Sequence, residues 1–152
     1  MTIQEIRELA NIKFPPIENF EEAQKYVEEH KVNNRFAIVT GPAGSGKFYK
    51  YSAKADATLH IDGFDRGEVE DLITTFGFNK DGKAEFKESD LIKCAKAGGT
   101  VVIDYDYFHL VKDEVIQFFI NLTSKTEDTE EFRFSEVSPD FKIIMTVTPC
   151  YY

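Results

Sequence analysis

The sequence predicts an α/β domain in three layers, with a parallel sheet covered by helices on both faces. Short apolar runs of strand length occur at 35–40, 58–62, 100–104 and 141–147. The first, third and fourth are nearly continuous in apolar residues, as expected of strands buried on both faces. Segments with helical spacing separate the runs, the alternation that builds parallel sheets. A glycine-rich turn, Gly41 to Gly46, follows the first run at once.

Ahead of that run, residues 2–10 and 19–31 have helical spacing, through Ile3, Ile6, Leu9 and Ala10, then Phe20, Ala23 and Val27. Pro15-Pro16 breaks the chain between them, and Glu18 or Asn19 opens the second helix. Residues 1–34 therefore read as an N-terminal helical segment, and 35–152 as the core of the same single domain. Within the core, Lys47 to Ala55 and Gly67 to Phe76 are expected to be helical. Asp81-Gly82 between Phe78 and Phe86 signals a β-hairpin over 77–86. Ser89 is a suitable N-cap for a helix that Gly98-Gly99 ends. Residues 111–124 form another helix, with Val115, Ile116, Phe118, Phe119 and Leu122 on its apolar side. A second hairpin is expected to include 132–137.

A chain of 152 residues with 42% hydrophobic content suits one domain around one core. No run approaches the ~20 apolar residues of a membrane span, and the polar start, Met1-Thr2-Ile3-Gln4-Glu5, does not read as a leader. The net charge of −9 argues against nucleic acid and anionic membranes as partners. Cys94 and Cys150 have no CxxC neighbour and read as thiols of a reducing cytoplasm, where the sequon at Asn121 has no role.

Gly41-Pro42-Ala43-Gly44-Ser45-Gly46-Lys47 has the Walker A spacing G-x-x-x-x-G-K, placed after a strand and before a helix. Glycines let backbone N–H groups wrap phosphates, the helix start adds positive potential, and Lys47 supplies a point charge for the β- and γ-phosphates. The hydroxyl that should follow and hold Mg²⁺ is missing, because position 48 is Phe48. Ser52, one turn on, is too distant to replace it. The second part expected is an acid at the end of a neighbouring strand, and Val101-Val102-Ile103-Asp104 provides it for the metal.

From 35 to 149 the chain resembles the AAA+ P-loop superfamily, and more narrowly its MoxR-like or dynein-related group. The resemblance rests on GPAGSGK (41–47), DRGEVEDLITTF (65–76), FKESDLIKCAKAGGTVVID (86–104) and FKIIMTVTP (141–149), in that order. It implies a P-loop NTPase sandwich with strand order 1-4-3-2, a hairpin insertion or two, and ATP or ADP with Mg²⁺ as ligands. It also implies that Thr148 occupies the sensor-1 position. Several family features are absent. The glutamate expected after Asp104 is Tyr105, whose phenol, with a pKa near ~10, is a poor base. Asp106 is the nearest other carboxylate, on the face opposite that of Tyr105. A fifth strand, an arginine finger and a helical lid have no counterpart in the sequence, which leaves the strand at 35–40 as a sheet edge. The N-terminal helices, the tail Pro149-Cys150-Tyr151-Tyr152 or another chain would then cover it.

The expected function is a nucleotide-binding module with impaired hydrolysis, acting as a scaffold or assembly subunit. Its partners would be proteins: further copies of itself or an active AAA+ subunit. The alternatives are a working MoxR-like ATPase with Asp106 as base, completed by neighbouring subunits, and a structural protein that has given up nucleotide. The remaining features read as ordinary. His30, His60 and His109 are scattered and fit solvated or core-edge positions. Asn79, Asp81 and Asp90 lack the glycine and glutamate of a calcium loop. Glu127, Asp128, Glu130 and Glu131 fit a solvated loop, and Tyr105, Tyr107 and Phe108 fit core packing.

Overall fold

A computed structural model describes residues 1–65 and 67–149. Arg66, Cys150, Tyr151 and Tyr152 lie outside the described residues, so the expected roles of the tail as an edge cover and of Cys150 as a thiol lie outside them too.

One five-stranded sheet organises the chain. Its strands are β1 (Glu28–Asn33), β2 (Phe36–Thr40), β3 (Ala57–Asp62), β6 (Thr100–Asp106) and β7 (Lys142–Val147), in the order β1-β2-β7-β6-β3. β2, β7, β6 and β3 are parallel, and β1 runs antiparallel to β2. β4 (Thr74–Phe78) and β5 (Ala84–Glu88) pair with each other as a separate hairpin. The helices are α1 (Ile3–Glu8), α2 (Phe20–Gln24), α3 (Lys47–Ser52), α4 (Val69–Ile73), α5 (Asp90–Ala97) and α6 (Asp113–Ser124).

Alternation divides the sheet into two unequal faces. Phe36, Ile38, Val101, Ile103, Ile143 and Met145 share one face and join the main core with residues of α1, α5 and α6. Ala37, Val39, Val102 and Thr146 point to the other face, against which α3 packs. Local signals set the ends of α5: Ser89 Oγ accepts from the backbone N–H of Ile92, and Gly98 ends the helix.

Three expectations are corrected. Residues 19–31 are not one helix, and 1–34 is not wholly helical. Asn19 caps a five-residue α2, and 28–33 form β1 instead. Pairing supplies the reason. The outer N–H and C=O groups of β2 need partners, and a charged segment such as Glu28–Asn33 suits an exposed edge strand. The register Asn33↔Phe36 leaves Asn34 and Arg35 as a two-residue turn, with Asn33 Oδ1 accepting from the N–H of Arg35 at 2.8 Å. The edge left at 35–40 is thus covered from within the chain.

The helix expected over 67–76 stops at Ile73. Thr74, Thr75 and Phe76 prefer a strand, and the hairpin widens to 74–88. The hairpin expected around 132–137 is a short 3₁₀ turn at Phe134–Glu136 instead. Phe132 and Phe134 use their rings to pack on Phe118 of α6, with centroids 5.5 and 6.0 Å away. Aromatic burial, rather than strand pairing, fastens this segment. Among the described residues no helix is long and apolar enough to cross a membrane.

Phe118→Ala should therefore remove the ring that anchors 132–134 and leave a cavity under α6. Urea unfolding should show a loss of about 3–5 kcal/mol, the range for large-to-small aromatic truncation in a core.

Candidate phosphate-binding site

The loop 41–46 joins the C-terminal end of β2 to α3. Gly44 and Gly46 have φ of 78° and 70°, in the region that L side chains avoid. A Cβ at Gly46 would also stand 3.1 Å from the ring of Phe20, so α2 closes over the end of the loop. Pro42 and Ser45 are buried, while Ala43 and Gly44 face solvent at the apex. Ser45 Oγ is buried without a hydrogen-bond partner among the described residues.

Lys47 is the first residue of α3 and is itself buried. Its Nζ donates to Thr148 Oγ1 at 2.6 Å, just beyond the end of β7. Burial pushes the ammonium pKa down, and the carboxylates of Asp104 and Asp106 act in the opposite direction. A buried cation calls for compensating negative charge, and among the described residues Asp104 and Asp106 supply part of it beside the Thr148 hydroxyl. Phe48 follows, half-buried and without an oxygen to offer. Ser52 hydrogen-bonds the carbonyl of its own helix at Tyr49, so it does not stand in for the missing hydroxyl.

Asp104 lies on the same face, on β6. Its Oδ1 accepts from Thr146 Oγ1 at 3.0 Å across the β6–β7 pair. Asp106 follows on that face, and β3 brings a third group that the sequence reading had set aside. His60 is opposite Asp104 in the parallel register. Its Nε2 is 2.5 Å from Asp106 Oδ2, and its Nδ1 is 3.4 Å from Asp104 Oδ2. The bond to Asp106 raises the imidazole pKa above 6.5, against a smaller opposing effect of burial. Ligand atoms of His60, Asp104 and Asp106 lie within 4.8 Å of one another, so the three could hold a cation. Strand pairing was the missing signal: His60 lies within one apolar run and Asp104 ends another, and only the β3–β6 register shows that they meet.

The other singled-out residues disperse. Tyr105 points into the main core, edge-on to Phe108. Burial pushes its phenol up to about 12, and its hydroxyl has no partner among the described residues. It is placed for packing and not for proton transfer. Tyr107 is exposed, 6.1 Å from Phe64. His30 hydrogen-bonds Thr40 Oγ1 at 2.9 Å, and His109 lies in the 3₁₀ turn Phe108–Leu110.

A scan against models of known protein families finds no match to the chain, and a search of curated proteins finds none either.

The His60–Asp106 contact has a pH signature. Because the folded imidazole pKa is raised, its contribution to stability is full below about 6.5 and fades as pH rises through the folded value. An NMR titration of the His60 ring should show a midpoint above 6.5, which Asp106→Asn brings back toward it. An unchanged midpoint in that variant would mean the bond is not formed in solution.

Proposed function

We propose that this chain is an AAA+-like module that binds ATP or ADP through residues 41–47, hydrolyses it poorly if at all, and serves as a scaffold or assembly subunit. One observation carries the reading: a buried Lys47 ammonium under a glycine loop, facing Asp104 across the C-terminal ends of parallel strands. Ligands of open α/β sheets bind outside those strand ends. A mostly parallel sheet flanked by helices, in the order β1-β2-β7-β6-β3, supports the reading.

In this reading Gly41, Pro42, Ala43, Gly44, Ser45 and Gly46 present the loop to phosphate, and Lys47 neutralises its charge. Thr148 holds the lysine in position through the 2.6 Å bond, which fits a residual sensor role. Mg²⁺ would supply charge neutralisation between phosphates, held by Asp104 with Asp106 and His60 beside it. The donor set fits it poorly, since Phe48 contributes no oxygen and an imidazole is a soft neighbour for a hard cation. Nucleotide binding should therefore depend little on Mg²⁺.

Weak hydrolysis follows from the faces of β6. Tyr105 occupies the glutamate position of the resemblance but points into the core. Asp106 shares the face of Asp104, which favours the second reading, an ATPase completed by neighbouring subunits with Asp106 as base. Its contact with His60 opposes that role, because the same carboxylate is already engaged by the imidazole through Oδ2.

Calorimetry with ATP and ADP, with and without Mg²⁺, tests the proposal. Binding should appear in the metal-free buffer and fall by roughly a hundredfold in Lys47→Ala, as for loss of a charge-assisted contact. Absence of binding at millimolar nucleotide would leave the loop as an inherited fold element. Mg²⁺-dependent turnover that rises with protein concentration and is lost in Asp106→Asn would establish the ATPase instead.

A further inference from the structure

The carboxylate–imidazole group at the ends of β3 and β6 has a geometry that nucleotide binding does not use. His60 Nε2 is at hydrogen-bond distance from Asp106 Oδ2, 2.5 Å, while Nδ1 stands 3.4 Å from Asp104 Oδ2. The second distance exceeds the roughly 2.7–3.2 Å of an N–H···O bond. With the ring proton on Nε2, the neutral imidazole turns the lone pair of Nδ1 toward a carboxylate oxygen. Two lone-pair atoms facing each other across such a gap are stabilised by a cation between them.

The gap discriminates between ions. Zn²⁺ takes imidazole and carboxylate ligands at about 2.1 Å, and a tetrahedral angle then puts two ligand atoms about 3.4 Å apart. Mg²⁺ demands octahedral geometry at nearly the same bond length, which brings neighbouring ligands to about 2.9 Å. The separation of Nδ1 and Asp104 Oδ2 fits the first ion and not the second.

Each of the two atoms also has a supporting partner. Metal-bound imidazoles commonly donate the other ring N–H to a carboxylate, which fixes tautomer and orientation, and Asp106 takes that place here. Thr146 Oγ1 donates to Asp104 Oδ1 at 3.0 Å, which leaves Oδ2 to face an ion. Thr146 is fully buried, so this bond holds the carboxylate from the sheet side. Asp62 adds negative charge near the ring, and Lys47 an opposing positive charge near the carboxylates. His60 and Asp106 are about half-exposed, so an ion and the waters that complete its shell can enter.

We propose that His60 Nδ1 and Asp104 Oδ2 bind a zinc-class divalent ion in the absence of nucleotide, with Asp106 as the positioning residue behind the imidazole. The ligands lie on β3 and β6 and none comes from residues 41–47. The site therefore stands or falls separately from nucleotide binding.

Co²⁺, a coloured substitute for Zn²⁺, tests this on the full chain in nucleotide-free buffer, with circular dichroism to verify folding of each variant. Wild type should give the visible bands of four-coordinate Co²⁺. Zn²⁺ at equal concentration should bleach them, whereas a roughly hundredfold excess of Mg²⁺ should not. His60→Ala and Asp104→Ala should each weaken Zn²⁺ binding by roughly a hundredfold or more. Asp106→Ala should weaken it by about ten- to a hundredfold, as for loss of an outer partner. Nitrogen-15 spectra of the His60 ring should place Zn²⁺ on Nδ1 and the proton on Nε2, and metal-free Asp106→Ala should lose the preference for that tautomer. Absence of Zn²⁺ binding at millimolar concentration overturns the proposal. So does binding that survives His60→Ala, which would put the ion elsewhere, or Mg²⁺ held as tightly as Zn²⁺. An Asp106→Ala variant with wild-type affinity and tautomer overturns it equally.

Discussion

The candidate site depends on the parallel register of β3, β6 and β7. His60 opposite Asp104, and Asp104 opposite Thr146, are neighbours because three chain segments far apart in sequence pair in step. A slip of one residue in either pair would turn these side chains to the other face, into the main core. The strands resist such a slip because that core accepts only one set of residues: Ile103 with Met145, Val101 with Ile143. Apolar packing on one side of the sheet thus fixes the geometry of charged groups on the other.

The unequal covering of the two faces explains the electrostatics. α1, α5 and α6 seal the core face, while the short α3 lies on the other. Asp104, Asp106 and His60 remain partly solvated there and tolerate one another's proximity. Lys47 does not share that freedom. It begins α3, its stem is trapped under the loop, and Thr148 is the hydroxyl it reaches. Held out of water, its charge is balanced in part by the carboxylates of Asp104 and Asp106 on β6.

Much of this was legible in the sequence because it is local. The strands at 35–40, 58–62, 100–104 and 141–147, the caps of α5 and the glycine loop each follow from residues close together in the chain. What escaped was set by distant partners. Glu28–Asn33 has helix-forming residues, yet its conformation is decided by the edge of β2. Phe132 and Phe134 have strand propensity, yet the ring of Phe118 holds them in a turn. His60 reads as an isolated histidine until β3 is laid beside β6. The glycine loop was visible and the carboxylate–imidazole cluster was not, since only the first is a contiguous motif.

Tyr105 shows why a glutamate at that position would not serve as a base in this fold. A glutamate there would lie on the core face, against Phe108 and away from Lys47. Its carboxylate would be desolvated, and its pKa would rise until it held its proton at neutral pH. To act as a base it would have to be turned toward the loop by a bend at the end of β6. The present strand continues in register with β3 through Asp106, paired with Asp62, and so allows no such bend. Burial of the tyrosine is part of the packing that keeps Asp104 and Asp106 together on the opposite face, so the core residue and the charged pair are fixed by the same strand register.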